Sequence, residues 1–185
     1  MSRWRAFLLT ALLAFTARAL AHHAPNSFVR FDFRAHSVLA ELMIPQSELK
    51  YAMDGAPTAD ALPAYLLKHV GAATPQGAAF RVRITAVRAT TYLAQPYFVA
   101  KLELVPPAGG SVRDFLFTND AITHEVRNHV VFVVAERDYA DPRLEAQPAF
   151  LGALQYPTRQ LAIRRKADAV GVISLARRPA GAPAR

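Results

Sequence analysis

The chain has 185 residues, with 22 basic and 14 acidic side chains, a formal net charge of +8 and no cysteine. The lack of cysteine excludes a thiol nucleophile and a disulfide framework, so the hydrophobic core alone must hold the fold. The basic excess forms no stripe with interleaved aromatics, which argues against nucleic-acid binding.

The first 21 residues have the form of a secretory signal peptide. Arg3 and Arg5 precede the apolar run Ala6–Ala17, and Ala19-Leu20-Ala21 is a small-x-small cleavage site. The run falls short of the roughly 20 residues that span a bilayer. Cleavage after Ala21 leaves 164 residues with charge +5, starting at His22. The expected product is one periplasmic or secreted domain over residues 22–176, not itself membrane-spanning, followed by a disordered basic tail over 177–185.

His22–Ser27 is a polar lead-in. Phe28–Phe33 alternates apolar and polar residues, as a half-buried strand does, and Ser37–Ile44 returns after a turn at 34–36. Gln46–Met53 is ambiguous. Asp60 is placed to cap a helix over Ala61–Val70 that Gly71 ends. Period two resumes in Phe80–Ala86, Phe98–Leu104 and Val112–Phe117. His129–Ala135 is apolar on both faces, which predicts a central strand. Glu136–Pro148 reads as a polar loop. Ala153–Tyr156, Gln160–Arg164 and Val170–Leu175 read as closing strands. About nine short strands with one short helix predict an antiparallel β-sandwich.

The chemistry concentrates in Thr118–Val134. His124-Glu125-Val126-Arg127-Asn128-His129 approaches the H-E-x-x-H zinc-protease motif but is one residue too long. On a helix, residues five apart diverge by about 140°, and on an unbroken strand they face opposite ways. The two imidazoles converge only if the chain turns at Arg127-Asn128, which would make Ile122–Val126 and His129–Val134 consecutive strands. A chain beginning at His22 carries a free α-amine beside an imidazole. Those nitrogens with His124 and His129 form a nitrogen-rich site suited to Cu(II), then Ni(II). His23, Asp120 and Glu125 are accessory candidates, and His36 and His69 read as structural or solvated. No phosphate loop or nucleophile elbow is present, so no enzyme is indicated; a copper oxidase built on the N-terminal histidine is a remote third reading.

Four stretches carry a family resemblance: His22–Ser27, Val38–Leu49, Asp120–Val134 and Leu151–Ile163. Together they resemble the extracytoplasmic N-terminal domain of HupE/UreJ-like membrane proteins. The resemblance implies a soluble extracytoplasmic module without that family's transmembrane half, and groups His22, His124 and His129. The family name points to nickel handling, a role that would reside in the transmembrane half and is not carried over to this module. The expected function is a carrier or sensor of copper or nickel, delivering to a membrane-protein partner. The alternative is a periplasmic protein-interaction module with structural histidines and no metal.

Overall fold

A computed structural model describes residues 25–145 and 147–165. The expected signal peptide, His22, His23, the strand at 170–175 and the basic tail lie outside the described residues. Those described residues form nine strands, two short helices and one 3-10 turn. Strands β1 (Ser27–Phe33), β2 (Val38–Pro45), β4 (Arg81–Tyr92), β5 (Gln95–Val105), β7 (Val131–Asp138) and β8 (Ala149–Leu154) make one sheet, in the order β4-β5-β2-β1-β7-β8. Strands β3 (Val70–Ala73), β6 (Asp114–Asn119) and β9 (Gln160–Arg164) make a second, in the order β3-β6-β9. The β-sandwich expected from the alternation is the architecture found.

Pleating explains which side chains meet. Val29, Phe31 and Phe33 on β1 are fully buried, as are Phe117 and nearly so Phe115 on β6. Phe31 packs edge-on against Phe33, Phe115 and Phe117, with ring centroids 5.8, 6.0 and 5.0 Å away. Such pairs contribute about 0.5–1.5 kcal/mol each beyond their buried area. This aromatic knot locks the smaller sheet onto the larger.

Several sequence expectations need correction. Gln46–Ala52 is a helix, α1, entered directly from Pro45. The second helix, α2, spans Leu62–His69, and Asp60 does not cap it. The Thr58 hydroxyl instead accepts from the Ala61 N–H at 3.2 Å. Gly71 does not end the helix, because Val70 is already extended and begins β3. Ile122–Val126 is not a strand: its backbone closes turns, with Glu125 and Val126 N–H groups both bonded to the Ile122 carbonyl. The region 136–148 is not all loop. It completes β7 and adds a 3-10 turn at Pro142–Glu145. Strand β8 begins at Ala149, four residues ahead of expectation, because Ala149 and Phe150 already pair with β7.

Two features of this fold position the candidate site. Strand β1 runs parallel to β7, with Ser27 beside Val131, so the start of β1 lies against the His129 corner. Helix α2 runs without a linker into β3, which pairs with the end of β6 (Val70 opposite Asn119). That register places His69 opposite Asp120, and the Asp120 N–H bonds the His69 carbonyl at 3.1 Å. Among the described residues, no helix is long and apolar enough to cross a membrane.

Candidate metal centre

The partner that His124 finds is His69, 55 positions away, and not His129. Their imidazoles stack with centroids 4.4 Å apart and planes inclined by 20°. One ligand atom from each of His69, Asp120 and His124 lies within 4.8 Å of the others. The Tyr65 ring, one helical turn before His69, lies 4.5 Å from the His69 ring and 6.3 Å from that of His124.

Hydrogen bonds fix how both rings are presented. His69 Nδ1 is 2.9 Å from Asp120 Oδ1, whose other oxygen is 3.2 Å from the Arg159 guanidinium. An ionised carboxylate only accepts, so His69 Nδ1 carries the proton. His124 Nδ1 is 2.7 Å from the Asp120 carbonyl oxygen, which also only accepts. In each neutral ring the lone pair is therefore left on Nε2. A single residue, Asp120, orients both imidazoles, one through its side chain and one through its backbone. The backbone bond follows from the turn, since His124 N–H also bonds the Asp120 carbonyl, at 3.3 Å.

These rings line a cleft of about 560 Å³ between the end of α1, helix α2 and the 121–125 turn. Met53, Asp54, Lys68 and Glu125 share its walls. Tyr65 braces it: the phenol donates to the carbonyls of Ala121 and, at 3.3 Å, of Ala52. Burial, and then the charges of Asp120, Glu125 and Asp54, push this phenol well above its usual range. It stays a hydrogen-bond donor at physiological pH.

His129 has a different environment. It is completely buried, its Nε2 shares a 2.9 Å hydrogen bond with the Ser27 hydroxyl, and its Nδ1 lies 4.0 Å from Glu48. Burial lowers its pKa to about 4 and raises that of Glu48. Ser27, His129 and Glu48 have the order of a hydrolase relay. However, Ser27 is only 4% exposed and the His129 Nδ1 makes no hydrogen bond, so no nucleophile is presented. The sequence-level grouping is thus split. His124 and Asp120 stand in the cluster, Glu125 lines the cleft beside it, and His129 sits in a separate buried pocket. His22 and His23 fall outside the described residues, although the nearby Ser27 touches His129.

His69, whose place late in a helix suggests a structural or solvated residue, completes the cluster. A signal existed in the helical spacing of Tyr65 and His69, which puts both on one face. Its pairing with Asp120 depends on the β3–β6 register, which four residues of VGAA do not announce.

Compared with protein-family models and with curated protein sequences, the chain matches none.

Proposed function

We propose that this protein binds a copper or nickel ion through Nε2 of His69 and His124 and serves as an extracytoplasmic carrier or sensor. The supporting observation is the orientation of the two rings: each donates its Nδ1 proton to a fixed acceptor and keeps Nε2 for a ligand. Metal-binding histidines almost always have this arrangement. Two imidazole donors on one ion at 2.0–2.1 Å lie roughly 3.3–4.1 Å apart, and the two rings already stand 4.4 Å apart between centroids. Imidazole nitrogen suits copper and nickel, and copper(II) heads the affinity order. Asp120 already holds His69 and Arg159, so it acts as an orienting group, and Glu125 lines the cleft as a further oxygen donor. The His22 amine and imidazole remain a proposed additional chelate.

Calorimetric titration of the protein processed after Ala21 with Cu(II), Ni(II) and Zn(II) tests this reading. His69→Ala and His124→Ala should each weaken binding at least tenfold, while His36→Ala, in an exposed turn, should not. One residue added ahead of His22 tests the terminal chelate separately. Wild-type protein that binds nothing above background removes the metal.

A second reading, a protein-interaction module, is favoured by the outer face of the larger sheet. There Met43, Tyr97 and Val99 are buried beneath Phe28 and Tyr92, and the row continues through Phe132 to Phe150, which is 46% exposed. In that reading the His69–Asp120–His124 contacts only staple α2 to the 121–125 turn.

A further inference from the structure

The three walls of the cleft are α2, the 121–125 turn and the residues leaving α1. The last wall brings a donor of another kind. Met53 lines the same cleft as His69 and His124. Its backbone is extended and its N–H closes α1 on the Leu49 carbonyl at 2.9 Å, so the chain departs from the helix at this residue. Its side chain is partly buried against the core, and the residue forms part of the cleft wall. Tyr65 ties the wall in place: its hydroxyl bonds the carbonyl of Ala52, the residue before Met53, and its ring faces both histidines.

We propose that Met53 supplies its thioether as a third ligand to the ion held by His69 and His124, making the cleft a cuprous site that prefers Cu(I) to Zn(II). The inference rests on the two-histidine reading and adds the identity and oxidation state of the ion. Thioether sulfur is a soft donor that favours Cu(I), whereas hard oxygen donors favour other ions. Methionine has three rotatable side-chain bonds, which lets a sulfur held at a cleft wall swing toward a bound ion without moving the backbone. Of the other two methionines, Met43 is buried on the outer face of the larger sheet and Met1 falls in the expected signal peptide. The competing donors are Asp54, next in the chain, and Glu125 across the cleft. A hard ion would be held by these oxygens and would ignore the sulfur.

The experiment uses the full processed chain under anaerobic, reducing conditions, with Cu(I) partitioned against a chromophoric cuprous chelator. Met53→Leu, which conserves volume and hydrophobicity, should weaken Cu(I) binding at least tenfold and leave Cu(II) and Zn(II) affinity within about twofold. X-ray absorption at the copper edge should show a sulfur neighbour in the wild-type Cu(I) protein that Met53→Leu removes. Asp54→Asn should not weaken Cu(I) binding. A wild-type spectrum without sulfur, or an equal loss for every ion in Met53→Leu, overturns the thioether ligand and leaves the two-histidine site standing. If His69→Ala and His124→Ala bind copper as wild type does, the underlying metal reading fails instead.

Discussion

At the scale of single residues, the two halves of the motif at 124–129 have opposite physical characters. His124 is half-exposed and directed by hydrogen bonds, whereas His129 is fully enclosed. Burial holds the His129 pKa near 4, below the 6.5 of an unfolded histidine. As pH falls from about 6.5 toward 4, the unfolded chain takes up a proton that folded His129 refuses. Stability is therefore complete above 6.5 and is lost through that window, by about 3 kcal/mol at roughly 1.36 kcal/mol per unit. Glu48 works in the opposite sense, because burial raises its pKa and the folded state gains protons first on acidification. In Glu48→Gln the histidine effect stands alone, so urea midpoints should fall more steeply between pH 6.5 and 4.5 than in wild type. A parallel profile would mean that Glu48 adds no opposing effect, and no acid-side fall in either protein would mean that His129 is not held neutral. Ser27→Ala removes the hydrogen bond to Nε2 and leaves the buried ring without a partner. It should cost about 1–3 kcal/mol at neutral pH, measured by the same titration.

At the scale of elements, the tip of the β4–β5 hairpin pays for its turn with poorly suited residues. Leu93 and Ala94 both sit at positive φ, 49° and 61°, where Asn-Gly is the favoured pair. Left-handed conformations cost an ordinary residue roughly 1–2 kcal/mol. Leu93→Asn with Ala94→Gly should thus raise unfolding free energy by about 1–2 kcal/mol, read from chemical denaturation; no gain would mean that the strain is relieved in solution. Gly152 is the reverse case. Its φ is +151°, and an added Cβ would come within 2.7 Å of a Leu161 methyl, where β8 crosses β9. Gly152→Ala should destabilise by about 1–3 kcal/mol. The alternation that made β1, β2 and β5 readable is the imprint of a sheet with one buried face, so those strands could be placed from sequence. The short strand β3 carries too few residues to show a period, and α1 too few turns to show a stripe. Ile122–Val126 misleads because its apolar residues are buried by the turn's position over the core and not by a pleat. The site shared these limits: His124 and Asp120 lie in one legible motif, while His69 arrives through the unannounced β3.

At the scale of the whole molecule, an aspartate clamps each end of the β6–β9 ladder, one to the larger sheet and the other to α2 and the 121–125 turn. At one end the buried carboxylate of Asp138, on β7, accepts from Arg113 and, at 3.0 Å, from Arg165, the residues flanking β6 and β9. At the other end Asp120 and Arg159 occupy the equivalent flanks and pair with each other, and Asp120 holds His69 and His124. The first fastening is closed and the second opens into the cleft, so an ion can add a cross-link only at the second. A ligand that binds only the folded state at 100 times its Kd adds about 2.7 kcal/mol. For a domain of this length that corresponds to a rise in Tm of roughly 5–10 °C. Saturating copper should produce such a rise in wild-type protein, and His69→Ala should abolish it. Asp138→Asn breaks the closed fastening and should lower stability by about 3–5 kcal/mol. Because it leaves the cleft intact, the copper-dependent increment should survive unchanged. Differential scanning calorimetry of these three proteins with and without copper decides the matter: an increment that disappears in Asp138→Asn, or persists in His69→Ala, would place the bound metal elsewhere than at the Asp120 end.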